Sequence, residues 1–352
     1  MDRRIKPLGP ADALTFPGSL FSPDGRLVAS YDLEAGDDSL EGYRAAAHQP
    51  GIFNADIERF RIDYRTASEV HVVNGMGVTL GDSIIGLTAM SAVKHAFPDV
   101  KFTLYRPRRA PPFVEELYGL AGPLLSARIT LPFPLSEFPD DATVIDIGNH
   151  LFWPDFAALP MIDFFLGALG VDASSVPSSQ KANRWLAGTS LPALPARWRD
   201  APYVLFCPSA STPVRSIPQH VRADLVDRLV QRYDLPVLGF GPVDHARYVD
   251  VQSAAISTAH FLALIRCARC VLTCDTAAVH AAAGFDVPTT AFFTTIEPAL
   301  RVRDYPACRA VELPLPQLRG IHASNQARDI ALIERAYGDL MRDTFPLPDL
   351  AG

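Results

Sequence analysis

Two aspartates, Asp82 and Asp275, stand where the chain leaves a turn and starts a small-residue helix, in HVVNGMGVTLGDSIIG and in RCVLTCDTAAVHAAAGF. A carboxylate at a helix start has two uses. It can cap free backbone N–H groups, or, held ionised by the positive helix end, it can take a proton from a substrate hydroxyl as a general base. At Asp82 both uses stay open. The turn Gly75-Met76-Gly77, with Gly81 beside the aspartate, lets a substrate come close to the backbone. At the second site, Asp275-Thr276-Ala277-Ala278 follows a strand directly. Free N–H groups at a positive helix end suit a diphosphate there, and preformed donors lower the barrier when such a group leaves. Asp275 itself would repel phosphate, so its expected task is holding the loop or meeting a hydroxyl. His280 falls one turn after Thr276 on the same face, either packed in the core or reaching a ligand. Arg215 lies in the hydroxyl-rich stretch SASTPVRSIP. A guanidinium grips phosphate oxygens in pairs, and Ser209, Ser211 and Thr212 offer further donors.

The elements that must position these groups are legible as an alternation of strands and helices. From about residue 66 to 190 the reading is strand EVHVVN, helix DSIIGLTAMSAVKHAF, strand KFTLYR, helix PFVEELYGL, strand TVIDIG and helix MIDFFLGALG. Ile84, Leu87, Val93 and Phe97 give the first helix an apolar face. A Pro- and Ala-rich stretch, SLPALPARWRDAP, reads as a linker. Residues 200–322 then alternate again, through YVLFCPSA, HVRADLVDRLVQRY, LPVLGFGP, AHFLALIRCA, CVLTC, TAAVHAAAGF and TTAFF. The tail, 323–352, closes with a helix expected to fold back onto the first domain. Residues 1–65 lack a nucleotide motif and contain SLFSPDGRLVASYD, a β-hairpin around Pro23-Asp24-Gly25. That extension reads as an appendage lying beside the first domain. The class is therefore α/β, with two Rossmann-like domains expected to face each other across a cleft.

Composition narrows the function classes. A chain of 352 residues with 48% hydrophobic and 20% charged residues suits two globular domains. A net charge of −7 argues against nucleic acid as partner, although Arg106, Arg108 and Arg109 form a local basic cluster that could meet an anionic ligand. No apolar run is long enough to span a membrane and the first residues lack a signal-peptide core, so a cytoplasmic location is the expectation. Five scattered cysteines fit reduced thiols. Cys267, Cys270 and Cys274 have no second ligand pair at zinc spacing and read as core, so no metal is expected. No Gly-x-Ser-x-Gly elbow is present.

GDSIIGLTAMSAVKHAFPDVKFTLY resembles the amino-terminal motif of the heptosyltransferase-type GT-B glycosyltransferases, glycosyltransferase family nine. CDTAAVHAAAGFDVPTTAFFTTIEP resembles that family's carboxyl-terminal motif, and FCPSASTPVRSIP resembles the stretch carrying its phosphate-contacting basic residue. The similarity runs from about residue 70 to 310. It implies an inverting transfer of a sugar, heptose-like and carried on ADP, from a nucleotide diphosphate donor to a hydroxyl on a glycan, a lipid-linked glycan or a protein. It implies no cofactor beyond that donor, with Asp82 as the base, Arg215 and the 275–278 helix start on the diphosphate, and the first domain receiving the acceptor. Loop GFGPVDHAR, with Gly239 and Gly241, falls where such proteins receive the nucleoside, and Asp244 is the candidate ribose partner there.

Four departures from the family stand out. Arg215 replaces the usual lysine. Ala277 and Thr294 replace usual glycines, adding side chains near the expected phosphate path. The Gly-Asp motif, near residue 10 in lipopolysaccharide core enzymes, falls here at Asp82, which points to a different acceptor. Two other readings remain beside transfer: a nucleotide-sugar epimerase of the same fold, and a non-catalytic nucleotide-sugar-binding protein.

Overall fold

A computed structural model describes residues 7–37 and 39–350. The chain divides into two units, Met1–Lys181 and Ala182–Gly352. The division comes before the proline-rich stretch, so residues 182–190, expected to end the first domain, pack within the second. The physical reason is a side-chain anchor: Asn183 donates through Nδ2 to the His280 carbonyl (2.9 Å) and to the Tyr305 hydroxyl (2.8 Å).

The first unit holds strands β1 (Leu20–Phe21), β2 (Arg26–Val28), β3 (Arg44–Ala45), β4 (Ile52–Phe53), β5 (Glu69–Val73), β6 (Lys101–Arg106), β7 (Ala127–Thr130), β8 (Phe133–Pro134) and β9 (Thr143–Asp146). Its helices are α1 (Pro10–Thr15), α2 (Ser30–Glu34), α3 (Leu80–Ala96), α4 (Pro112–Leu120), α5 (Pro154–Ala158) and α6 (Met161–Ala168). The main sheet is parallel, in the order β4-β9-β5-β6-β7. β5 lies at its centre, with Val73 opposite Tyr105 on one side and Asp146 on the other. EVHVV and KFTLYR are almost wholly buried, as central parallel strands covered on both faces require. α3 covers the sheet through Ile84, Leu87, Met90 and Val93. Gly86 lets Met76 lie against this helix, since a Cβ there would come within 2.5 Å of the Met76 sulfur.

The amino-terminal extension is more than an appendage. Its hairpin forms as expected, Leu20 opposite Val28 and Phe21 opposite Leu27, with Gly25 at φ +85° in the turn. The hairpin belongs to a second, antiparallel sheet, β3-β1-β2-β8, whose last strand comes from beyond β7. β4 adds the edge strand of the main sheet beside β9. Asp146, at the end of β9, is buried and accepts from Ser19 N–H (2.8 Å), Ser19 Oγ (2.6 Å) and Asn54 Nδ2 (3.3 Å). A buried carboxylate needs such donors, and two residues of the extension supply them. Two-residue strands carry no periodicity, which is why this stitching was invisible in the sequence.

The second unit holds β10 (Val204–Cys207), β11 (Val237–Gly239), β12 (Tyr248–Asp250), β13 (Cys270–Cys274), β14 (Thr289–Phe293) and β15 (Cys308–Glu312). Its helices are α7 (Ala196–Arg199), α8 (Arg222–Tyr233), α9 (Thr258–Cys267), α10 (Ala277–Gly284), α11 (Ala299–Val302) and α12 (Ala327–Leu340). The sheet is again parallel, β12-β11-β10-β13-β14-β15. Cys207, Cys270 and Cys274 are buried in it and free. The closing helix does not leave this unit. Ile333 and Tyr337 of α12 are buried in the same apolar cluster as Phe292 and Leu225, because the stripe that looked free for the first domain is the cover of the second sheet.

Candidate functional site

In the first unit the decisive segment follows β5. Asn74, Met76 and Gly77 all have positive φ, at 50°, 65° and 73°, so the backbone coils tightly between strand and helix. Arg106, from the end of β6, holds this coil: Nη1 donates to the carbonyls of Gly75 and Gly77, the latter at 2.8 Å, and Nε to Glu115 at 2.8 Å. The guanidinium also lies 4.0 Å over the Tyr118 ring. Arg106 is thus buried and committed to the protein, contrary to its expected place among basic residues open to an anion. Arg108 and Arg109 likewise spend their backbone N–H groups on the Asp32 carboxylate (2.9 and 2.7 Å), and the Arg109 guanidinium binds the Asp32 carbonyl. Arg106 and Arg109 are thus tied to the protein, whereas the Arg108 side chain is exposed.

Asp82 is not the cap of α3. Thr79 is, accepting from Asp82 N–H at 3.3 Å, and the aspartate occupies the first turn, one-seventh exposed. Its Oδ2 lies 3.5 Å from Nε2 of His150. That histidine, just beyond β9, is buried among Phe156, Phe164 and Phe165, ring centroids 4.8, 5.9 and 5.4 Å away. Gly77 faces both groups: a Cβ on it would stand 2.8 Å from His150 Cε1 and 3.3 Å from Asp82 Oδ2. Gly77, Asp82 and His150 therefore converge, with Gly81 in the same first turn, whereas Gly75 faces Val72 and Leu104. Sequence reasoning missed His150. Its only signal was its place after a third apolar strand, TVIDIG, where loops of parallel sheets gather beside one another.

In the second unit the loop after β10 meets the loop after β13. Arg215 Nη1 lies 3.1 Å from Asp275 Oδ2, and Nη2 donates to Ser211 Oγ at 2.8 Å. Asp275 is buried, and Nε of Arg215 is buried without a hydrogen-bond partner among the described residues. Thr276 is the N-cap residue of α10, in extended conformation and making no side-chain cap bond. Ala277 and Ala278 supply the first-turn backbone beside it. A guanidinium beside an uncapped helix start is an arrangement suited to phosphate oxygens.

The remaining predicted residues fall elsewhere. Thr212 is buried and its hydroxyl is engaged with Ser324, accepting from the backbone N–H at 3.2 Å. Ser209 is exposed. His280 is buried and shares a 2.9 Å hydrogen bond with the Tyr305 hydroxyl, so its side chain is held in the core. Asp244 is exposed, whereas Asp250 takes the N–H of Gly241 at 3.3 Å. Asp250 thus shapes the Gly241 turn, and the exposed Asp244 carboxylate stays open to a ligand. Thr294 is buried. Its hydroxyl turns inward to the Val214 carbonyl at 2.6 Å, bracing the turn that carries Arg215.

No family model matches the chain, and no curated protein matches it by sequence. Solved structures do resemble it. A glycosyl transferase family 9 structure from Veillonella parvula aligns over 78% of this chain and 97% of its own, at 12% identity and a TM-score of 0.50. The fold is that of this glycosyltransferase. ADP-heptose LPS heptosyltransferase II from E. coli aligns over 78% of this chain and 98% of its own, at 14% identity and a TM-score of 0.47. The iron-containing dodecameric glycosyltransferase TibC of enterotoxigenic E. coli aligns over 78% of each, at 13% identity and a TM-score of 0.47. Identity this low speaks for the pair of Rossmann-like units and for nothing finer. Among the described residues no helix is long and apolar enough to cross a membrane.

Proposed function

We propose that the protein is an inverting glycosyltransferase that uses a nucleoside diphosphate sugar, with ADP-heptose the leading donor, and a hydroxyl-bearing glycan, lipid-linked glycan or protein as acceptor. The observation that carries this reading is Arg215, held by buried Asp275 beside the uncapped start of α10. Its guanidinium and the helix N–H groups would bind the two phosphates and take up the charge that grows on the leaving group. In the other unit Asp82, relieved of capping by Thr79, would remove the acceptor proton as the hydroxyl oxygen attacks the anomeric carbon. The bond from that carbon to the phosphate oxygen breaks on the opposite face, and nucleoside diphosphate leaves. Positive charge for this step is present in Arg215 and the helix end, so the reading calls for no resident metal or cofactor.

Thermal melting of the full chain with a panel of nucleoside diphosphates and their sugars tests it. A ligand held at 100 times its dissociation constant stabilises by about 2.7 kcal/mol, a readily measured rise in Tm. ADP-heptose should raise the Tm and release ADP over time. A chain whose melting no nucleotide or nucleotide sugar moves at millimolar concentration would sink the proposal.

A further inference from the structure

His150 is a buried histidine that the reaction as described does not use. Its Nε2 is enclosed and makes no hydrogen bond among the described residues, which is costly for a polar atom unless a partner arrives. The nearest charged atom is Asp82 Oδ2 at 3.5 Å. Phe156, Phe164 and Phe165 surround the ring mostly edge to face, so the imidazole is aimed and cannot swing to solvent. Glycine at position 77 leaves the space between ring and carboxylate open, since any Cβ there would collide with His150 Cε1.

We propose that His150 is the positioning residue for Asp82. Its Nε2–H donates to Oδ2 when the acceptor is bound, fixing the carboxylate while Oδ1 receives the acceptor proton. Catalytic hydrogen bonds are commonly long in a free enzyme and shorten in the complex, and half an ångström suffices here. The role rests on Asp82 being the base of the proposed transfer. Tyr118 is close enough to feel the Asp82 charge, and Arg106 and Glu115 lie beside it. Arg106 is bound to Gly75, Gly77 and Glu115, and the Tyr118 hydroxyl donates to Ser83 at 2.9 Å, with burial pushing it up to about 12.

The test compares wild type, His150→Phe, His150→Gln and Asp82→Asn as full chains, with ADP-heptose as probe and ADP release to water as the reaction. Phenylalanine keeps the aromatic packing and removes the donor, whereas glutamine restores an N–H. His150→Phe should lower kcat on the order of 10–100-fold, the scale of a misplaced catalytic group, with donor KM unchanged. The acid limb of its pH–rate profile should move to higher pH, because a hydrogen bond to the charged form has been lost. His150→Gln should recover part of the rate. In 15N-histidine spectra at neutral pH, wild type should show a protected Nε2–H resonance that Asp82→Asn shifts. A His150→Phe enzyme with wild-type kcat and acid limb overturns the proposal, as does a wild-type ring protonated on Nδ1 alone. Failure of Asp82→Asn to slow the reaction, or of wild type to release ADP, removes the base itself, and the role of His150 falls with it.

Discussion

Arg215 and Asp275 form an ion pair at 3.1 Å in which the carboxylate is buried and the guanidinium reaches the surface of the loop. The pair joins the loops that follow β10 and β13, adjacent parallel strands. A buried carboxylate beside the proposed phosphate site is paradoxical only if it meets the phosphate. Here it meets the arginine, aiming a cation that would otherwise wander.

Arg215→Ala should therefore weaken binding of a nucleoside diphosphate far more than of the free nucleoside, since only the former carries the charge to be gripped. Arg215→Lys should retain more affinity than Ala. Calorimetry with ADP and adenosine checks both, and equal losses for the two ligands would exclude Arg215 from the site.

Asp275→Asn should cost both stability and diphosphate affinity, because Arg215 loses the charge that orients it. Removing one partner of a buried pair typically costs about 3–5 kcal/mol; with Arg215 partly exposed a smaller loss is expected. Urea titration and ADP binding are the measurements. Unchanged ADP affinity would show that Arg215 needs no holder.

Thr79 caps α3 and leaves Asp82 to the proposed base role. Thr79→Ala should lower stability by about 1 kcal/mol and leave the rate within a few-fold. Asp82→Asn should leave donor binding nearly intact and reduce turnover roughly 10²–10⁴-fold. Near-normal turnover in Asp82→Asn would return that residue to a structural part.

The extension should prove essential to folding. A chain starting at Arg61 lacks β4, Ser19 and Asn54, so the Asp146 carboxylate would be stranded in the first unit. Loss of a cooperative melt is expected, and a truncated chain that melts as wild type does would show the extension to be dispensable.

Burial raises the Asp146 carboxyl above its ordinary 3.8, partly offset by the hydrogen bonds from Ser19 and Asn54. The folded chain then binds a proton that the unfolded chain has released. Stability contributed at this site is greatest in acid and declines as pH climbs from 3.8 through the raised value. Asp146→Asn places an amide among four donors and should cost about 1–3 kcal/mol. The wild-type advantage over this variant should shrink as pH rises through that window; an advantage growing with pH would contradict the raised value.

Several features were written in local sequence. Strands such as EVHVV, KFTLYR, VLFC and CVLTC are apolar runs long enough to be read, and α3, α8 and α10 start and stop near their expected residues, because backbone pairing and burial act through neighbours in the chain. The same is true of Asp82, Asp275 and Arg215, which stand at strand–helix junctions that any parallel α/β arrangement exposes at one edge. Tertiary structure alone decided the rest. That Arg106 is a brace, that Thr79 and not Asp82 caps α3, and that His150 faces Asp82 all depend on side chains from separate strands meeting. The extension joined the main sheet through two-residue β4 and the Asp146 bonds, contacts between residues about a hundred positions apart. α12 covers the second sheet because Ile333 and Tyr337 find an apolar surface there. Periodicity announces that a helix has a face to bury, but only packing chooses what it is buried against.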